Sequence, residues 1–281
     1  MHNHFINFNG QIIPEQEPVL TSSNRAFRYG DGLFESVRMS SGELKFLDLH
    51  AERLQTGMKT LRMSNYHQFT AEFVIEQVHQ LAKSNKIFDH ARIRVSVFRE
   101  GAGLYTPVTN EAGFLIEMHK LEEGPYELNR KGLIIDVFKD VKKNCSTLSW
   151  IKSSNSLLYV LAAIYKNEIK ADECLLMNDE GYLVEGTSSN LFLVKNGELY
   201  TPALTEGCVA GVMRNVIFKM AQHTSLKIHE VKIKPEALFD ADEIFMTNAT
   251  RGIQWVVGYH EKRYFNDFSK MLVAMLNRFV L

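Results

Sequence analysis

Residues 152–214 read KSSNSLLYVLAAIYKNEIKADECLLMNDEGYLVEGTSSNLFLVKNGELYTPALTEGCVAGVMR, and three parts of this stretch carry the argument. Lys152 stands just before the helix-patterned run SNSLLYVLAAIYKN. Glu185 closes the strand-like GYLVE and opens the small-residue turn GTSSN. LFLV and YTP then lead through Gly207 and Gly211 into a helix expected to begin near Val212. A lysine that can lose its proton is the group that forms a Schiff base with a carbonyl. A carboxylate at a strand end can face a pyridinium nitrogen and keep it protonated. A glycine-bearing turn feeding a helix N-terminus presents backbone N–H groups to a phosphate. Singly, each part also has an ordinary reading: a solvated lysine, a turn glutamate, a generic glycine spacing.

The order of the parts says more. K-x-x-N falls at Lys152 and Asn155. D-E-x-L-L-x-N-x-x-G-x-x-x-E-x-x-x-x-N-L-F runs from Asp172 through Glu185 to Phe192, T-P is Thr201-Pro202, and G-x-x-x-G-x-x-R is Gly207, Gly211 and Arg214. Upstream, Arg25, Tyr29-Gly30-Asp31-Gly32 and Phe34-Glu35 give R-x-x-x-Y-G-D-G-x-F-E, and His50, Arg53 and Leu54 give H-x-x-R-L. This pattern, spread over nearly the whole chain, resembles the class IV (fold type IV) pyridoxal-phosphate enzymes. They include branched-chain and D-amino acid aminotransferases and aminodeoxychorismate lyase.

The resemblance implies an α+β protein of two lobes. A small N-terminal α/β lobe would span 1–122, and a larger C-terminal lobe, with a barrel-like β core and flanking helices, 123–281. It implies pyridoxal 5'-phosphate as cofactor, with Lys152 as Schiff-base lysine and proton shuttle. Glu185 would face the ring nitrogen. Arg53 would grip the phosphate by charge-assisted bonding, with the N–H groups of Val212 and Met213. Ser188 and Ser189 would line the ring, and Thr247 and Asn248 would form a second cofactor turn. Tyr29, Arg94, Arg99, Ala249 and Thr250 are the expected substrate-binding residues. The resemblance also implies a homodimer.

The reaction has two candidate forms. One moves an amino group between an amino acid, branched-chain-like or similar, and a 2-oxo acid. The other is aminodeoxychorismate lyase, which releases pyruvate and 4-aminobenzoate. The turn Thr247-Asn248-Ala249-Thr250 carries the lyase wording, and Ser156 stands where branched-chain enzymes have a tyrosine. Against the lyase, the loop GAGLYTP lacks that enzyme's arginine, and Phe34-Glu35 with Arg38 fits aminotransferases. The aminotransferase reading is taken first. A non-catalytic cofactor carrier on the same fold is a third.

Composition sets the bounds. A chain of 281 residues, 45% hydrophobic and 23% charged, has ample material for a core. A net charge of −1 gives no reason to expect a polyanion partner. The run Lys139 to Lys143 is short, mixed with Asp140, and reads as a solvated face. The start MHNHFINFNG has no signal-peptide pattern, and no apolar run approaches the roughly 20 residues that span a bilayer. Cys145, Cys174 and Cys208 show no metal-ligand spacing, no H-E-x-x-H occurs, and the expectation is a cytoplasmic protein without metal.

Local patterns fill in the rest. Residues 4–13 read as a hairpin about Asn9-Gly10. LFESVRM is a strand, LKFLDL pairs back on it, and HAERLQTGMKTLRM is an amphipathic helix. A second helix covers 70–85, ARIRVSVF is a strand, and REGAGLYTPVTNE is a loop. FLIEMHKLEE ends the first lobe, and GPYELNRKG links it to the second.

Overall fold

The computed structural model describes residues 4–121 and 124–279. It forms two compact units: residues 1–124 with 151–155, and residues 125–150 with 156–281. The break expected between residues 122 and 123 lies outside the described residues. The short segment 151–155, which carries Lys152, belongs to the first unit and not, as expected, to the second.

The first unit contains β1 (Phe5–Phe8), β2 (Gln11–Pro14), α1 (Arg25–Tyr29), β3 (Gly32–Ser40), β4 (Glu43–Leu44), α2 (Leu47–Thr60), α3 (Ala71–Asn85), β5 (Ala91–Arg99) and β6 (Ala112–Lys120). The strands make one antiparallel sheet in the order β2-β1-β6-β5-β3-β4. Alternation dictates its core face: Val37 and Met39 of β3, Ile93 and Val95 of β5, and Ile116 and Met118 of β6 are fully buried. Leu54 and Met58 of α2 and Val78 and Leu81 of α3 lie at helical spacing and are equally buried. Thr70 caps α3 by accepting from the Phe73 N–H. LKFLDL pairs back on β3 only at its start: Leu44 lies opposite Met39 and the Lys45 N–H donates to Arg38 O (2.8 Å), after which Phe46 turns through the left-handed region and α2 begins at Leu47.

The second unit contains β7 (Leu133–Val137), α4 (Leu157–Glu168), β8 (Glu173–Met177), β9 (Leu183–Gly186), β10 (Asn190–Lys195), β11 (Glu198–Pro202), α5 (Val212–Gln222), β12 (Ile228–Val231), α6 (Ala237–Asp240), β13 (Glu243–Asn248), β14 (Gly252–Tyr259), β15 (Lys262–Arg263) and α7 (Asp267–Leu276). The sheet order is β12-β11-β10-β13-β14-β7-β8-β9, with β15 on β14. One apolar cluster draws Leu191 and Leu193 from β10, Ile244 and Met246 from β13, Val256 from β14, Ile135 and Val137 from β7, Leu175 and Met177 from β8, and Leu183 from β9. In a flat sheet β10 and β9 would lie about 24 Å apart, five strand spacings. Sharing one core therefore requires the sheet to curl, and this is the expected barrel-like β core. The expected linker is anchored: Tyr126 N–H donates to Asn277 Oδ1 (3.0 Å), and Trp255 N–H to Asn129 Oδ1 (2.9 Å).

Candidate active site

In the first unit, β3 and α2 assemble a buried carboxylate with two bases. Glu35 lies on the core face of β3, 2% exposed. His50 Nδ1 stands 2.6 Å from its Oε2, and Arg53 donates through Nε (2.7 Å) and Nη2 (2.5 Å). Burial pushes the Glu35 carboxyl up, but Arg53 and His50 together outweigh it and hold the group at about 2. Burial, against the pull of Glu35 and helped by the charges of Arg53 and Lys152, lowers His50 below the usual imidazole value. A neutral His50 donates from Nδ1 to Glu35. Its Nε2 is buried without a hydrogen-bond partner among the described residues. Arg53 is thus held from behind by an ionised carboxylate.

Lys152 reaches this unit by strand-like pairing with the start of β3. The Phe34 N–H donates to Lys152 O (3.0 Å), and the Ser154 N–H to Gly32 O (2.9 Å). The G-D-G turn is shaped to receive the segment. Gly30 has φ +63°, and a Cβ there would meet the side chain of Asn155; at Gly32 a Cβ would meet Val97 O and Ser154 Oγ. The ammonium of Lys152 lies 4.2 Å from the centre of the Phe34 ring, and the guanidinium of Arg94 lies 3.9 Å from the same centre. Arg94 also donates to Ser96 Oγ (3.2 Å) and pairs with Glu117 at 3.7 Å. Phe34 therefore brings the expected amine and an expected carboxylate-binding cation to one ring.

Arg99 has a different place. Its Nε donates to Asp31 Oδ2 (2.9 Å), Nη1 to Asn110 Oδ1 (2.8 Å) and Nη2 to Leu61 O (2.5 Å). Each of its three nitrogens is engaged by protein and the side chain is buried, so Arg99 also ties the loop after β5 to Asp31. Arg25 shares Asp31 (2.8 Å) and donates to Leu104 O (2.6 Å), which pins the loop after β5. Tyr29 packs on Tyr105 of that loop, with ring centres 5.5 Å apart.

In the second unit, Glu185 of β9 is 3% exposed. Its Oε1 accepts from Lys143 Nζ and from Tyr159 O–H (2.8 Å), and its Oε2 from the Val209 N–H (2.9 Å). Burial first, then the charge of Glu185, pushes the Tyr159 phenol far up, so it stays a donor. The turn after Glu185 is held by Glu173, which accepts from Thr187 N–H (3.1 Å), Thr187 O–H and Ser189 O–H (3.1 Å). The Ser189 hydroxyl is engaged there, whereas Ser188 is exposed.

Helix α5 starts at Val212 after Gly211. The N–H groups of Val212 and Met213 fall in its first turn, where no intrahelical acceptor exists. Thr247 ends β13 with its Oγ1 buried and without a hydrogen-bond partner among the described residues. Asn248 Oδ1 accepts from the Thr250 (3.1 Å) and Arg251 (2.8 Å) N–H groups and closes the turn, and Ala249 O accepts from Tyr126 O–H (2.8 Å).

Sequence reasoning missed Lys143, Tyr159, His50 and Glu173. Lys143 is a correction as well. The run Lys139–Lys143 read as solvated, but Lys143 is buried. Its backbone continues alongside β8, with its N–H on Met177 O (2.8 Å), and this turns the side chain inward. The signal available was the invariant logic of a buried glutamate, which needs a cation or donors.

The donor set fits pyridoxal phosphate part by part. In the first unit, an amine at Lys152 suits the carbonyl and Arg53 suits a phosphate; in the second, a carboxylate at Glu185 suits the ring nitrogen, and a helix N-terminus and an orphaned threonine hydroxyl suit a phosphate. Among the described residues no cluster of His, Cys, Asp and Glu could hold a metal ion.

Residues 32–259 match the family Amino-transferase class IV. A protein assigned as a branched-chain-amino-acid aminotransferase in Methanocaldococcus jannaschii is 31% identical over 258 residues, 88% of this chain and 85% of that one. Aminodeoxychorismate lyase of Bacillus subtilis is 29% identical over 247 residues, 86% of this chain and 82% of that one. The crystal structure of a branched-chain aminotransferase from Thermoproteus uzoniensis superposes with a TM-score of 0.86 at 24% identity, covering 98% of this chain and 94% of that one. The match runs from the end of the G-D-G turn through Lys152 and Glu185 to the turn after β13, so the chain belongs to the class IV aminotransferase family and is a pyridoxal 5'-phosphate enzyme.

Proposed function

We propose that this enzyme is an aminotransferase, moving an amino group between an amino acid of branched-chain or similar type and a 2-oxo acid. The observation that carries the reading is the Phe34 ring, with Lys152 at 4.2 Å and the Arg94 cation at 3.9 Å from its centre. An amino acid needs a carboxylate ligand near the amine that handles its α-proton, and this pair offers both.

Pyridoxal phosphate supplies a carbonyl that condenses with amines and a ring that withdraws electrons from the α-carbon. Lys152 would hold the cofactor through its amine and, once the substrate's amino group has displaced it, the freed amine would take the proton from the substrate α-carbon and return it. Arg53, the Val212 and Met213 N–H groups and Thr247 Oγ1 would hold the phosphate, with Asn248 shaping the turn. Glu185 would hold the ring nitrogen, and Ser188 and Ser189 would line the ring. Tyr29, Arg94, Arg99, Ala249 and Thr250 would bind substrate.

Aminodeoxychorismate lyase is the second reading. It is favoured by the T-N-A-T turn at Thr247–Thr250 and by the B. subtilis relative. Single-turnover spectra separate the two. Loss of the yellow colour with formation of the amine form of the cofactor, on adding a branched-chain amino acid, D-amino acid or glutamate, supports transamination. Pyruvate release from aminodeoxychorismate without that change supports the lyase and overturns the first reading.

The enzyme is further proposed to be a homodimer. Leu157, Val160, Leu161 and Ile164 of α4 form an exposed apolar stripe that a second copy would cover. A cytoplasmic location is proposed with it: Cys145, Cys174 and Cys208 are all free thiols, and no described helix is long and apolar enough to cross a membrane.

A further inference from the structure

Buried cations are costly, and one in the second unit has no part in the roles assigned so far. Lys143 is 8% exposed. Its Nζ donates to Glu185 Oε1, to Tyr159 Oη (2.8 Å) and to Ser149 O (3.1 Å), which accounts for all three of its hydrogens. Tyr159 in turn donates to the same Glu185 oxygen, which closes a triangle. The surroundings are apolar, with Phe138, Ala162, Cys174, Leu176, Val184 and Cys208 forming the adjoining core.

Stability gives no reason for this arrangement. A buried ion pair generally holds a fold no better than apolar side chains of the same volume. Its distinctive effect is on the state of Glu185. A carboxyl in an apolar core takes up a proton unless charge or donors oppose it. Here the Lys143 ammonium, the Tyr159 hydroxyl and the Val209 N–H all act on the carboxylate, and each favours the ionised form.

We infer that Lys143 is a positioning residue, acting through Glu185. It fixes the carboxylate in one orientation and keeps it ionised, so that a proton shared with the cofactor's ring nitrogen resides on the nitrogen. The inference rests on the proposed role of Glu185. The geometry gives the direction of the effect. Lys143 is hydrogen-bonded to the carboxylate itself, so it stabilises the negative charge there more than it opposes a positive charge beyond it. Removing the ammonium shifts the proton back toward Glu185. Arginine at the same position keeps the charge.

The test loads the full-length enzyme with pyridoxal phosphate labelled with 15N in the ring and reads the nitrogen chemical shift at pH 7.5. This shift separates protonated from unprotonated pyridine without reference to turnover. Wild type is expected to be protonated, and Glu185→Gln to lose the proton. Lys143→Met and Lys143→Gln are expected to move at least half of the way from the wild-type shift to that of Glu185→Gln. Lys143→Arg stays with wild type. If wild type is unprotonated, or Glu185→Gln leaves it protonated, the role of Glu185 fails and this inference fails with it. If Glu185→Gln loses the proton while both neutral Lys143 variants keep it, Glu185 stands and the inference about Lys143 is overturned. Failure of both neutral variants to fold would make the pair purely structural and would also overturn it.

Discussion

Glu35 shows how one buried acid can fix a neighbouring cation. It holds Arg53 through two hydrogen bonds, so the guanidinium proposed to take the phosphate is oriented in advance. The same burial makes it a source of acid sensitivity. Its carboxyl is held at about 2 in the fold against 4.5 for the free group. The stabilisation is complete above pH 4.5 and is lost as pH falls through about 2; a shift of that size corresponds to roughly 3 kcal/mol. His50 acts in the same direction at higher pH. Its folded value is depressed, so the unfolded chain binds a proton below about pH 6.5 that the fold refuses, and stability falls on acidification. Urea midpoints measured from pH 7.5 to 3 should therefore decline in wild type, with Glu35→Gln losing the decline below pH 4.5 and His50→Gln the part between pH 7 and 5. Equal slopes in all three proteins would remove both groups as the cause. Lys152→Ala is the companion substitution for catalysis. Turnover should fall by at least about 10³-fold with the urea midpoint at pH 7.5 nearly unchanged; retained turnover would sink the role of Lys152.

At the scale of elements, α4 stands out because both of its faces are apolar. Leu158, Tyr159 and Tyr165 pack against the core around Phe138 and Leu176, with Ala162 fully buried among them. Leu157, Val160, Leu161 and Ile164 repeat at helical spacing on the other side, from 46 to 80% exposed. A helix that is apolar all round is normally covered all round, and exposed stripes of this kind mark interaction surfaces. Light scattering on the purified enzyme should give twice 32.2 kDa, about 64 kDa. The pair Leu161→Asp with Ile164→Asp should lower it to the monomer mass while leaving the far-ultraviolet circular dichroism intact. A wild-type monomer at working concentration would refute the dimer, and a dimer surviving both substitutions would move the interface elsewhere.

The molecule as a whole was legible where periodicity and motif agreed. The Asn9-Gly10 hairpin, the alternation along β3 and β5 and the helical spacing of Leu54 and Met58 all follow from local pattern. Motif spacing likewise singles out Lys152, Glu185 and Arg53, whose roles are proposed above. What local pattern could not carry was long-range pairing. Lys143 looks solvated in its own run, and only the extension alongside β8 turns it inward. Arg99 reads as an isolated cation, and only the fold brings Asp31 and Asn110 to it. The routing of residues 151–155 is the largest case. The chain leaves the second unit after Trp150, lends five residues to the first, and returns at Ser156. Lys152 therefore depends for its seat on β3, far away in sequence. Ser154→Pro tests this, because it deletes the N–H that Gly32 O accepts at 2.9 Å. An unsatisfied buried carbonyl costs about 1–3 kcal/mol, and the loss should be confined to the first unit. Trp150 and Trp255, the two tryptophans of the chain, both lie in the second. In a Trp150→Phe background, Trp255 emission should match that of the same background without the proline, while turnover falls at least about 10-fold from misplacement of the amine. Emission that collapses together with turnover would show that the segment supports both units, and unchanged turnover would show that its pairing with β3 does not seat Lys152.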